Sequence, residues 1–272
     1  MDSARATAAE IDRLVISVHL TARDRHGYEV WDQATAAGLE SIFLLNDVAE
    51  FLLSGRLTEP WLLRRFRYME EADVAEGLDA LRDGGHIVMA DDGYQAVPRL
   101  AGFLDWLLAM RAEAAAELWS TPADVADLDG AVTAVVATFP SEGFPLAADH
   151  RSLPDPHQPA LRLHHHLTTL RYCRADAHGD AWAAEGMTAS QAAALTTLWK
   201  GGSLAGDDGA GLAEAGWAMP DPWRITPAGV EIRDRIEVET DQRNNRAFAS
   251  LSPDEVMRLV ELMARLPGGA QS

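Results

Sequence analysis

Cysteine is nearly absent: Cys173 is the only one in 272 residues. No internal disulfide and no cysteine-based zinc site can form. A lone free cysteine is expected to be a small buried hydrophobe. Positive charge is scarce too, with 23 Lys and Arg against 42 Asp and Glu and a formal net charge of -19. Such a field repels nucleic acid and anionic membranes, so a nucleic-acid partner needs a local basic patch. No apolar run reaches the ~18–20 residues of a membrane span. The first residues, "MDSARATAAEIDR", hold no signal-like apolar stretch, so a cytoplasmic protein without membrane contact is expected. Gly-rich phosphate loops, a G-x-S-x-G elbow and an H-E-x-x-H pair are missing, and no residue is marked as catalytic.

What is present is mostly helical periodicity. Residues 5–22 place Ile11, Leu14, Val15 and Val18 on one face, and 38–55 form a second helix ended by Gly55. Thr58 and Pro60 open a third, and 70–85 form a fourth that stops at Gly84–Gly85. Residues 86–97 read as two strands around Asp91-Asp92-Gly93, followed by a long helix from Pro98. Helix, helix, hairpin, helix is the order of a winged helix-turn-helix. Residues 188–245 repeat it: Gly85 aligns with Gly216, Tyr94 with Trp223 and Pro98 with Pro227. The expected fold is therefore mainly α, with tandem winged helix-turn-helix modules and short β-hairpin wings. Its parts are an N-terminal module (1–119), a Pro- and Asp-rich connector or lid (120–159) that is irregular from Pro140 to Pro159, and a C-terminal module (160–272). Near the end, Ser252, Pro253 and Glu255 mark a capping box. The apolar stripe that follows (Leu251, Val256, Leu259, Val260, Met263, Leu266) suits either a homodimer through terminal helices or internal docking.

One helix carries most of the chemistry. "ALRLHHHLTTLRYCRADAHGDAW" runs from Ala160 to Trp182. At about 100° per residue, Arg171, Arg174 and His178 share one stripe, joined by His164, while His165 and Asp176 lie on another. Adjacent histidines diverge, so "HHH" alone cannot hold one metal; a site would need His150, His157 or another helix. No metal and no cofactor is expected. Two arginines and a histidine on one side suit a carboxylate or phosphate, or an inter-module network of ion pairs. In "RDRHGYEVWDQ" (23–33), His26, Tyr28, Trp31 and Asp32 are weaker candidates for the same cavity.

"LRYCRADAHGDAWAAEGMTASQAAAL" and "RITPAGVEIRDRIEVETDQRNNRAFASL" resemble an actinobacterial family of MarR-like helix-turn-helix proteins, over roughly residues 160–266. The resemblance implies a DNA-binding fold and a response to a ligand. It places the family's Arg, Arg, Asp, His pattern on Arg171, Arg174, Asp176 and His178, with His165 upstream. The expectation is a ligand-responsive winged-helix transcriptional regulator with DNA and an anionic small molecule as partners. The alternative is a small-molecule-binding or sequestering protein, or an enzyme, that keeps the scaffold without binding DNA. Charge favours the alternative. Glu70–Gly93, the first recognition helix and wing, holds eight acids and one base, Arg82. The candidate DNA contacts are Arg64, Arg65 and Arg67 on the preceding helix and Arg224 in the second wing. The plainer reading of the three clustered arginines is a solvated face paired with Glu70, Glu71 or Asp73.

Overall fold

Prolines start most of the helices. Proline has no N–H to leave unpaired in the first turn, and its fixed φ suits that position. The computed structural model describes residues 3–42 and 44–268. The first part runs α1 (Ser3–Ala36), α2 (Leu45–Ser54), α3 (Glu59–Arg65), α4 (Glu71–Asp83), the antiparallel hairpin β1 (Ile87–Ala90) and β2 (Gly93–Ala96), and α5 (Pro98–Leu118). Then come α6 (Pro122–Thr138), α7 (Pro145–Arg151) and the long α8 (Pro159–Ala184). The chain finishes with α9 (Ala189–Trp199), α10 (Ala210–Glu214), the hairpin β3 (Ala218–Met219) and β4 (Arg224–Ile225), α11 (Pro227–Asn244) and α12 (Pro253–Arg265). The fold is mainly α with two small hairpins. No helix among the described residues is long and apolar enough to cross a membrane.

The aligned prolines and glycines mark the same local structure twice. Gly85 and Gly216 both have positive φ, 67° and 75°, which a side chain would disfavour. After each, the next residue donates its N–H five residues back, His86 to Leu81 and Trp217 to Leu212. Each hairpin closes alike, Val97 N–H to His86 O and Thr226 N–H to Trp217 O, both 2.9 Å. The units differ ahead of the hairpin. The first has α3 and α4, with Leu57 bridging Tyr94. The second has α9, then turns, then the five-residue α10.

Several expectations change. The helix expected over 5–22 continues to Ala36, and the one over 38–55 shortens to α2, with residue 43 outside the described residues. The stretch 120–159 holds α6 and α7, with Leu128, Val132, Val135, Phe144 and Leu146 buried against α8. Between Pro140 and Pro159 the chain is irregular on either side of α7, and of the prolines Pro122, Pro145 and Pro159 each occupy a first turn. The hydrophobic core follows. One cluster joins α1–α7, α12 and α8 as far as Ala177, and a second gathers Ala181, Leu195, Leu198, Leu212, Ile232 and Ile236. The division falls inside α8, which packs on α1, α5, α6, α7 and α11. The stripe of α12 docks internally: Val256, Leu259, Met263 and Leu266 are buried against α1 and α6. Arg13 of α1 caps its end, donating to the carbonyls of Met263 and Leu266.

Candidate functional site

The histidine triplet sits in the most enclosed part of the molecule. Each residue turns about 100° from the last, so each meets a different element. His164 faces His19 of α1, ring edge to face at 5.1 Å. His165 Nδ1 lies 2.6 Å from Glu50 Oε2 of α2, and its ring stacks at 4.3 Å on His150 of α7. His166 meets Thr133 and Asp129 of α6, and Asp155. Thus the sequence motif is a hub, and the groups around it form the site.

Two spaces that share lining residues lie there. A small polar well of about 30 Å³ is lined by Glu50, His150, His164, Thr168, Arg171 and Tyr172, with His19, Asn46 and Arg111 at its other side. His19, Asn46 and Arg111 also floor a chamber of about 390 Å³, whose walls are mainly apolar: Leu20, Trp31, Ile42, Phe103, Leu107 and Met110. An apolar cavity of this size with a few converging polar groups is the usual form of a small-molecule site. A larger cleft of about 540 Å³ beside α4, near Gly38 and Arg99, contains no orphaned buried polar atom among the described residues.

The well's electrostatics are unusual for a core. Arg111 is buried, donates to the carbonyl and side-chain oxygens of Asn46, and makes no ion pair among the described residues. Its Nε and both ring nitrogens of His164 are buried without a hydrogen-bond partner. Orphaned groups of this kind cost about 1–3 kcal/mol each, so a site that keeps them calls for an explanation. Burial pulls Arg111 below its ordinary value. Burial, reinforced by His165, pulls His150 down to about 3, and burial with the charges of Arg111 and Arg171 does the same to His19. Burial also holds His164 well below its ordinary value. Burial works to raise Glu50, but the His165 hydrogen bond and nearby positive charge outweigh it and hold the carboxyl well below the usual range. Glu50, His150 and His165 place one ligating atom each within 4.8 Å of the others.

The expected ligand residues divide. Arg171 borders the well, although its Nε is also bound to Asp12 of α1 at 2.7 Å, and His165 lies behind the well against Glu50 and His150. Arg174, Asp176 and His178 lie away from it. Arg174 is clamped by Asp241 at 2.6 Å and Glu237 at 2.7 Å, both on α11. His178 Nδ1 is 3.0 Å from Thr240 Oγ1, and its ring stacks on Tyr68. Asp176 accepts the N–H groups of Leu146 and Ala147, tying the start of α7 to α8; burial pushes it up to about 7. The stripe is therefore the ion-pair network between α8 and its neighbours, because acids on α1 and α11 face each arginine.

The expected DNA contacts are corrected in part. Arg65 is paired with Asp47 at 2.5 Å and lies against the Tyr172 ring. Arg67 crosses α8 at Gly179, where a Cβ would come within 1.4 Å of Nη1, and reaches Asp176 and Asp180. Both point inward, since Asp47 and Asp176 attract them from the core side. Arg64 is half-buried, and Arg224 is exposed on β4. Of the weaker candidates, Trp31 lines the apolar chamber, while Tyr28 is 97% exposed. His26 pairs with Glu29.

Glu50, Arg111 and His19 were not singled out by sequence reasoning, whereas His150 was named as a residue that a metal site on this helix would need. One signal was readable: Leu100, Leu104, Leu107 and Arg111 continue a single stripe of α5, with a charge where a core residue belongs.

Fold and site together define a mainly helical protein with two small hairpins and a mainly apolar cleft bordered by buried polar groups. Residues 86–269 match a helix-turn-helix family over more than half the chain, and the chain belongs to that family. At the coarse level this membership suggests a DNA-binding regulator. No curated protein and no solved structure matches the chain.

Proposed function

We propose that the chain is a ligand-responsive regulator of MarR-like, tandem winged-helix build, and that its effector is a small amphipathic anion held in the chamber between α1, α2 and α5. The carrying observation is Arg111: a buried guanidinium that makes no ion pair among the described residues, with Glu50 and Asp47 in the same well beyond ion-pair distance, on the floor of a mainly apolar chamber. A carboxylate would take its free donors while its hydrocarbon part fills the space between Phe103 and Trp31. The route outward is short. Both α2 and α5 pack on β2 of the first hairpin, and α8 runs from the well to α9 and α11. A ligand that favours one arrangement of these helices biases both hairpin units. The repeated turn and hairpin hydrogen bonds support the tandem reading. Lys200, Arg224 and Arg235 are exposed cations of the second unit, and Arg235 is paired with Glu185.

One observation favours a second reading, a small-molecule-binding protein without DNA. The exposed face of α4 carries Glu71, Asp73, Glu76, Asp79 and Asp83, and Arg82 is already paired with Asp79 and Asp83. Phosphates are repelled by such a face. A low-salt gel shift on the protein's own upstream DNA, with and without benzoate, phenylacetate or hexanoate, separates the two. Binding that one of these acids relieves supports the regulator. A raised melting temperature with no DNA binding at micromolar protein supports the second reading. No response to any acid contradicts both.

A further inference from the structure

The geometry points to a metal site that is separate from the anion pocket: we propose that Glu50, His150 and His165 bind one divalent transition ion of the imidazole-preferring kind, such as Zn²⁺ or Fe²⁺. The three ligands come from α2, α7 and α8 and converge on one oxygen. His165 Nδ1 lies 2.6 Å and His150 Nε2 3.6 Å from Glu50 Oε2. Metal–ligand bonds of about 2.0–2.2 Å put neighbouring ligand atoms roughly 3–4 Å apart. The His150 and His165 rings stack at an interplanar angle of 25°, so binding turns them until both lone pairs meet the ion.

The hydrogen bonds around His150 orient it for this role. Its Nδ1 is 2.8 Å from Thr169 Oγ1, and the Thr169 hydroxyl donates to the His165 carbonyl at 3.1 Å. With the hydroxyl proton engaged there, Oγ1 accepts from His150 Nδ1–H. The lone pair of Nε2 then faces the Glu50 carboxylate, and a cation bridges two such acceptors. Fixing one imidazole nitrogen by a hydrogen bond so that the other can ligate is the usual support of a metal-bound histidine. Two imidazoles and one carboxylate favour Zn²⁺, Fe²⁺, Co²⁺ or Ni²⁺ over Mg²⁺ and Ca²⁺.

Three protein ligands leave coordination positions open, as in exchangeable or catalytic sites and unlike closed structural ones. Two of the ligands, Glu50 and His150, border the well, as does His164, whose ring nitrogens lack hydrogen-bond partners among the described residues. The well shares His19, Asn46 and Arg111 with the apolar chamber, so an acidic ligand there can reach the ion. That last step rests on the anion-pocket reading; the metal site does not.

The test uses the tag-free full chain, stripped with chelator and titrated with Co²⁺. Visible ligand-field bands saturating at one ion per chain are expected, with displacement by Zn²⁺, a raised melting temperature and no effect of Mg²⁺. Glu50→Gln and His150→Gln, checked for folding by circular dichroism, are expected to weaken Co²⁺ binding more than about 100-fold, beyond the usual effect of removing a supporting residue. Absence of bands and of any melting shift with excess Zn²⁺ overturns the proposal. So does tight Co²⁺ binding by both variants. Should the variants not fold, imidazole nitrogen NMR of the wild type decides. Zn²⁺ must shift His150 and His165, and shifts confined to His86 or His157 overturn the site.

Discussion

Two groups of polar side chains on and around α8 differ in how they are partnered. Toward its C-terminal end, Arg174 and His178 each face a partner on α11 and Asp176 accepts two backbone N–H groups, so these groups are accounted for by structure. Toward its N-terminal end, His164 has no partner for either nitrogen, and nearby Arg111 lacks an ion-pair partner among the described residues. Both ends are buried and rich in titratable groups. Satisfied partners mark a joint between elements, and unsatisfied ones mark a place prepared for something else.

Acid should break this contrast most strongly. His19, His150 and His178 are held near 3, 3 and 4, and His164 well below its ordinary 6.5. Below pH 6.5 the unfolded chain therefore binds more protons than the native one. Stability rises with pH across this window and is lost as pH falls from 6.5 toward 4, by up to about 1.4 kcal/mol per pH unit for each histidine. Asp176, pushed up to about 7, works the other way between 3.8 and 7, but with one proton against four. Three of the four histidines line the well, so hydrogen exchange at α2 and α7 is expected to rise before that at α11. Urea midpoints that stay level from pH 6.5 to 4.5 would contradict the assigned burial.

Arg174→Ala comes next. It takes one of two arginines from each of Glu237 and Asp241, which keep Arg233 and Arg5, and is expected to cost about 2 kcal/mol in urea unfolding. Carboxylate binding should be unchanged, which separates a joint from a site. The smallest effect is expected from Thr169→Val, about 1 kcal/mol for the lost hydrogen bond to His150. Its sharper readout is Co²⁺ affinity, expected to fall about 10-fold as His150 loses its orientation. Unchanged affinity would assign Thr169 to structure alone.

How much could be read from sequence follows from what each signal depends on. Caps and turns are local, so Thr58 before α3, Ser252 with Glu255 before α12 and the Gly85 and Gly216 turns stand where the sequence places them. Prolines were ambiguous. Between 120 and 159 they suggested loop, although each of Pro122, Pro145 and Pro159 occupies a helix start. Angular arithmetic separated His165 from Arg171, Arg174 and His178, but angle alone does not say what stands opposite. Asp12, Glu237 and Asp241 face the arginines from distant positions, and Glu50 and His150 reach His165 from 115 and 15 residues away. Long-range partners of this kind are invisible to periodicity. Arg111 on an otherwise apolar stripe was the one local sign of the well.

The central claim is that function lies with Arg111 at the well and not with the arginines of α8. The most direct measurement is calorimetric binding of benzoate, phenylacetate and hexanoate to the wild type, Arg111→Gln and Arg174→Gln. The account predicts binding to the wild type, at least about a 10-fold loss in Arg111→Gln with its fold retained, and no loss in Arg174→Gln. Loss in Arg174→Gln with Arg111→Gln unaffected would contradict it and return the anion site to the α8 stripe.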